Sequence, residues 1–133
     1  VQGLPALSKL QEGKDVTIKG KKVKASDVTH LESGKKLTMI FDTDLMPSLA
    51  KFAKDSNLLI CEGTFSHKIR DKARDHGHLT VKDAARIAKS AKVNKLIITH
   101  FSQRYKDTKE LAIEAKSIFK NTVLAKDFME FNI

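Results

Sequence analysis

The chain has 133 residues, 41% hydrophobic and 31% charged, enough for one domain with a real core and too few for two full-sized ones. Lys and Arg number 25 against 16 Asp and Glu, a net charge of +9; this favours a polyanionic partner without identifying it. A single cysteine excludes an internal disulfide framework and a Cys-rich structural zinc site, and no apolar run reaches the ~18 residues of a transmembrane helix.

Residues 1–13 show little periodicity and are punctuated by Gly3, Pro5 and Gly13. They read as a connecting arm. Val1–Pro5 has no basic segment followed by an apolar core, so it does not read as a secretory signal. It also lacks an initiator Met, which leaves both a processed chain and a piece of a longer one open. Asp15–Lys19 alternates polar and apolar residues, Gly20-Lys21 makes a turn, and Lys22-Val23-Lys24 follows. That pattern predicts a hairpin with Val16, Ile18 and Val23 available for burial. Residues 25–34 are polar and end in Ser33-Gly34, a loop.

From Lys35 the pattern changes. Leu37–Phe41, Leu58–Cys61 and Leu96–Thr99 are short apolar runs that read as buried strands. Residues 46–54 repeat at helical spacing, with Pro47 acceptable in a first turn. Residues 67–76 are highly charged and read as helical. Thr80-Val81-Lys82-Asp83 has the form of a capping box, with Asp in place of Glu or Gln, and opens a helix through Lys89. Residues 108–119 form another amphipathic helix, and Thr122–Ala125 and Met129–Ile133 read as two last strands. The sum is an α/β unit: a hairpin, then alternating strand and helix, with helices on at least one face of the sheet.

Three buried strands each end in a group capable of chemistry: Asp42 after Phe41, Glu62 after Cys61, His100 after Thr99. His78 sits in a Gly-His turn before a helix start. In layered α/β sheets the carboxyl ends of strands are where ligands collect. Singly, each residue has a plainer reading. A strand-end Asp is often a turn former, a strand-end Glu a solvated or capping group, a strand-end His a surface side chain. Two carboxylates and two histidines at one edge are harder to dismiss. Carboxylate oxygen and imidazole nitrogen are zinc ligands, and open zinc sites activate water. The count stops there, because a catalytic zinc usually needs about three protein ligands and Asp42 and His100 are two. There is no His-x-His and no His-Glu-x-x-His.

Phe41-Asp42-Thr43-Asp44, Leu59-Ile60-Cys61-Glu62-Gly63-Thr64-Phe65, Gly77-His78-Leu79-Thr80 and Leu96–Tyr105 together resemble the C-terminal half of ribonuclease Z, the tRNA 3′-processing endonuclease family of the metallo-β-lactamase superfamily. The family pattern is Gly-Asp-Thr, His-Glu-Ala-Thr, His-Ser-Thr and Thr-His-Phe-Ser, in this order. The lead-in Lys9–Val16 and the end Asn121–Glu130 are also similar to the family's, so the resemblance covers nearly the whole chain. It implies that residues 1–133 are a single unit, the C-terminal half of an αββα sandwich with a mixed sheet and helices on its outer face. Asp42 would bridge two zinc ions and His100 would complete one ion's ligand set. Glu62 and His78 would form the pair that delivers a proton to the departing 3′ oxygen. Ser102, Arg104 and Tyr105 follow on the loop of His100 and could face the phosphate, although a solvated Arg104 is as good a reading. Cys61, Gly63, Leu79 and Phe41 depart from the pattern, and none of these removes an acid, base or ligand. Cys61 ends a buried strand, where cysteine is usually an apolar filler.

The family's N-terminal half, with His-x-His-x-Asp-His and the tRNA-gripping arm, has no counterpart in this sequence. The resemblance therefore implies a cytoplasmic, zinc-dependent endoribonuclease that removes the 3′ trailer of precursor tRNA. It would act only when this chain is combined with the N-terminal half, as a homodimer of the complete enzyme, with no membrane partner. The net charge suits a tRNA, whose phosphates need neutralising. Two alternatives stay open: half of another metallo-β-lactamase-fold phosphodiesterase, which would not need the Glu62 and His78 pair, and a non-catalytic RNA-binding fragment. Apolar residues on both faces of the three strands further predict that a second polypeptide covers one face. An interface of that class buries roughly 2,000 Å² or more in total.

Overall fold

A computed structural model describes residues 4–133. The chain divides into two compact units, Val1–Gly34 and Lys35–Ile133. In the first, helix α1 (Leu4–Gln11) precedes an antiparallel hairpin of β1 (Val16–Ile18) and β2 (Lys21–Val23), and a short helix α2 (Ala25–Val28) follows. The turn is Lys19-Gly20, with φ of 48° and 76°. Positive φ at both central residues matches the twist of the flanking strands, and the glycine adopts it without a Cβ penalty. Asp15 ties the hairpin to α2. Its Oδ1 accepts from the Ala25 amide at 3.1 Å, and its Oδ2 lies 3.1 Å from Lys22 Nζ. Both contacts favour the charged carboxylate and hold it below the usual range. Leu10, Val16 and Ala25 form the small core. The helix over 4–11 is a correction to the connecting arm read there. Ala6, Leu7 and Leu10 do recur at helical spacing, and Pro5 falls in the first turn, where its missing N–H costs nothing.

The second unit is a four-stranded parallel sheet in the order β3 (Leu37–Ile40), β4 (Leu58–Glu62), β5 (Lys95–Thr99), β6 (Thr122–Leu124). The crossovers contain helices α3 (Pro47–Phe52), α4 (Arg70–Asp75), α5 (Val81–Ser90) and α6 (Lys109–Lys116). Parallel strands need such crossovers, and the period of two sorts their side chains by face. Ile40, Leu59, Cys61, Leu96 and Ile98 point to one face. There they pack with Leu49 and Ala53 near α3, with Ala84, Ala85, Ile87 and Ala88 of α5, and with Leu111 and Ala115 of α6. Small alanines let α5 lie close to the sheet. Its capping box forms: Thr80 Oγ1 accepts from the Asp83 amide at 3.2 Å, and Asp83 Oδ2 accepts from the Thr80 amide at 3.3 Å.

The opposite face is unevenly covered. Leu58 and Ile97 are buried, whereas Leu37 is 46% and Met39 53% exposed on the edge strand β3. Residues 129–133 do not add a strand, contrary to the alternation read there. They come beside the sheet instead: Lys95 Nζ lies 5.8 Å from the Phe131 ring centre, and Asn132 and Ile133 line a cavity with Leu58 and Asn121. Among the described residues, no helix is long and apolar enough to cross a membrane.

Candidate metal and phosphodiester site

The carboxyl ends of β3, β4 and β5 lie side by side, because the three strands are parallel and in register from Leu37↔Leu58 and Leu58↔Lys95 onward. Asp42, Glu62 and His100 are therefore neighbours. Two further contacts extend the alignment past the strands: the Gly63 amide donates to Thr99 O at 3.0 Å, and the Ser102 amide to Thr64 O at 3.0 Å. His78 arrives from the other direction. A parallel bridge pairs Phe65 with Thr80, and the Val81 amide donates to Phe65 O at 2.9 Å. That pins the residues before α5 against the segment that leaves β4.

Asp42, His78 and His100 each present a ligand atom within 4.8 Å of the others. Asp42 Oδ1 lies 3.5 Å from His100 Nε2 and 3.9 Å from His78 Nδ1. The Asp42 side chain is 72% exposed and that of His100 45%. Both residues hold a left-handed backbone, with φ of 47° and 61°. Asp and His enter that region more readily than most residues, but each such position costs about 1–3 kcal/mol and collects at functional sites.

Glu62 is the buried centre of the cluster, with no exposed surface. Its Oε1 accepts from the Thr43 amide at 2.8 Å. Its Oε2 is 2.8 Å from Thr64 Oγ1, 2.9 Å from His78 Nδ1 and 3.3 Å from the Leu79 amide nitrogen. A buried carboxylate is tolerable only when its oxygens are satisfied in this way. A carboxylate only accepts, so His78 carries its hydrogen on Nδ1 and turns Nε2 away from Glu62.

The other residues read from the sequence sit less directly. Tyr105 Oη accepts from the Ser66 amide at 2.8 Å, which ties its ring to the segment that follows β4. Arg104 lies with its guanidinium carbon 5.2 Å from the Phe65 ring centre, and its Nε donates to Ser102 Oγ at 3.3 Å. Cys61 is fully buried, and burial pushes its thiol far above the ordinary range. It lines the helix-side core as a small apolar residue, with no thiolate available for nucleophilic work. Sequence reasoning missed Thr64 and the amides of Thr43 and Leu79. Thr64 lies two residues after Glu62, a spacing that hints at a shared side but not at its partners.

A donor set of one carboxylate and two imidazoles suits a zinc-class ion. Among the described residues of this cluster, Asp42 Oδ1 and His100 Nε2 face each other with both side chains open to solvent, whereas His78 is less exposed and has its Nδ1 engaged by Glu62.

No family model matches the chain. Among curated proteins, ribonuclease Z of Protochlamydia amoebophila is 37% identical over 125 residues, which is 94% of this chain and 41% of that protein. Ribonuclease Z of Nitrosopumilus maritimus is 39% identical over 127 residues, 95% of this chain and 42% of that protein. This chain is related to the C-terminal part of ribonuclease Z. It spans less than half the length of these ribonuclease Z relatives. Two solved structures agree. The metallo-β-lactamase fold protein YhfI of Bacillus subtilis matches with a TM-score of 0.62 and 30% identity, over 68% of this chain and 36% of that one. The short form of human tRNase Z matches with a TM-score of 0.57 and 31% identity, over 81% of this chain and 35% of that one. The sheet and its helices are part of a metallo-β-lactamase fold.

Proposed function

We propose that residues 1–133 supply the C-terminal half of a zinc-dependent endoribonuclease that trims the 3′ trailer from precursor tRNA and leaves a 3′ hydroxyl. The observation that carries this reading is the buried Glu62, 2.9 Å from His78 Nδ1 and joined through Thr64 to His100. Zinc, when bound, would supply Lewis-acid stabilisation of charge and an activated water. Asp42 and His100 would hold it, with Asp42 shared between two ions. His78 would hold a proton on Nε2 for the departing 3′ oxygen, while Glu62 keeps the ring oriented through Nδ1 and offsets its positive charge. Ser102 and Arg104 lie on the loop after His100, where a phosphate would pass, and Tyr105 helps hold that loop. The +9 charge supports a polyanionic substrate.

The ligand count supports a second part of the proposal. Two open donors hold a catalytic zinc poorly, so the complete site needs donors from an N-terminal half carrying His-x-His-x-Asp-His. The exposed Leu37 and Met39 on the edge strand, and Phe41 just after it, support an apolar contact with it. The resemblance further implies a homodimer of the complete enzyme in the cytoplasm. The test is reconstitution. The chain alone should retain well under one zinc and cleave no precursor tRNA; joined to the missing half, it should do both. His78→Ala in the joined enzyme should keep its zinc and slow cleavage by ~10²–10⁴-fold. Loss of zinc from His78→Ala would make His78 a ligand and end the proton-delivery assignment.

A further inference from the structure

The hydroxyl of Thr64 touches both halves of the site. Its Oγ1 is 2.8 Å from Glu62 Oε2 and 3.0 Å from His100 Nδ1. Thr64 is 6% exposed, so water does not compete for these bonds. A hydroxyl has one hydrogen to give. Glu62 as a carboxylate only accepts, so that hydrogen goes to Glu62. What remains on Oγ1 is a lone pair, and it can meet His100 only through an Nδ1–H. His100 is thereby held with its hydrogen on Nδ1 and a bare lone pair on Nε2, the atom 3.5 Å from Asp42 Oδ1.

We infer that Thr64 is a positioning residue that sets the tautomer and ring orientation of His100, and so prepares His100 Nε2 to bind a metal ion. Glu62 thus fixes two imidazoles in the same Nδ1–H form, His78 directly and His100 through the threonine. The backbone explains why a side chain is needed. His100 is already past the end of β5 in a left-handed conformation, and its side chain is nearly half exposed. Beside the contacts with Asp42 and the His78 ring, the Thr64 bond is the hydrogen bond that fixes which way its ring faces. Partners of this kind on a metal-binding histidine are worth about 10–100-fold in metal affinity.

This rests on the proposed metal role of His100, but its test can be read without metal. The side-chain nitrogens of His100 are observed by two-bond ¹H–¹⁵N correlation in the metal-free chain. The spectrum is recorded at alkaline pH and the neutral ring is identified by its own nitrogen shifts, since only the neutral imidazole has distinct tautomers. The expected result is an Nδ1–H form in the unsubstituted chain and in Thr64→Ser, which keeps the hydroxyl. Thr64→Val, which has the same shape without the hydroxyl, should give a mixture or the Nε2–H form. An Nε2–H form in the unsubstituted chain overturns the inference, and so does an unchanged Nδ1–H form in a folded Thr64→Val. If Thr64→Val does not fold, the unsubstituted chain and Thr64→Ser still decide it: both must be Nδ1–H. In the reconstituted enzyme, zinc affinity should fall ~10–100-fold for Thr64→Val and be largely restored in Thr64→Ser. An enzyme with the expected tautomer but no activity on tRNA would sink the functional proposal and leave the Thr64 bond standing.

Discussion

Asp42 and His100 leave their strands in the same left-handed conformation, at φ of 47° and 61°, and bring Oδ1 and Nε2 to 3.5 Å from each other. The chain accepts backbone strain at both positions to aim two metal-class donors at one point. That geometry lets the roles be separated from the fold, because asparagine also tolerates the left-handed region. Asp42→Asn and His100→Asn should therefore fold with an unchanged far-ultraviolet spectrum. In the reconstituted enzyme, each should lower zinc affinity by more than the ~10–100-fold that loss of a supporting partner costs. Metal analysis after dialysis measures it. Full zinc retention in Asp42→Asn would remove Asp42 from the ligand set.

Gly63 follows Glu62 at the point where the sheet meets α5. A Cβ added there would collide with Ile98 Cγ2 and would stand 3.0 Å from Val81 Cγ1. Gly63→Ala should destabilise the chain by about 1–3 kcal/mol, the usual result of overpacking. Ile98→Leu removes the β-branch that Gly63 accommodates. The double substitution should therefore cost less than the sum of the two singles. Urea unfolding of the four forms measures the coupling, and strict additivity would mean that Ile98 is not the obstacle.

His67 lies at the start of the turn before α4, with Nδ1 3.0 Å from Thr80 Oγ1. Desolvation holds its imidazole below the ordinary value of 6.5, with Asp83 pulling upward and Arg86, Lys82 and Arg70 pushing further down. The folded chain thus binds fewer protons here than the unfolded chain just below pH 6.5. This contribution to stability is complete above the unfolded value and is lost as pH falls through the folded one. Its size is small because the ring is partly open to solvent. The His67 midpoint, followed by NMR, should be lower in the folded chain than in urea. A higher midpoint in the folded chain would reverse the sign.

The strands were readable because Leu58–Cys61 and Leu96–Thr99 are continuous apolar runs, as parallel strands covered by helices must be. The start of α5 was readable because Thr80 and Asp83 form a local device three residues apart. Met129–Ile133 alternates like a strand, but alternation says nothing about whether a partner edge is free. In the fold Phe131 meets Lys95 instead. The chemistry of Asp42, Glu62, His78 and His100 could be suspected from their places after strands and before a helix. Thr64 could not. Its role depends on the ends of β4 and β5 lying side by side, a relation between residues 36 positions apart that no local spacing encodes.

The burial of Glu62 makes position 62 unlike the other sites in its response to mutation. In the proposed enzyme, Asp42 and His78 each hold one task and can fail separately, giving variants that lose metal or lose proton delivery. Glu62 serves both imidazoles from inside the protein, out of reach of any water that could stand in for it. Substitution there should lower both functions in one step, and no second change at Asp42, His78 or His100 could restore them one at a time. In that enzyme, evolution could adjust metal affinity and leaving-group chemistry around this carboxylate, but could not easily relocate it.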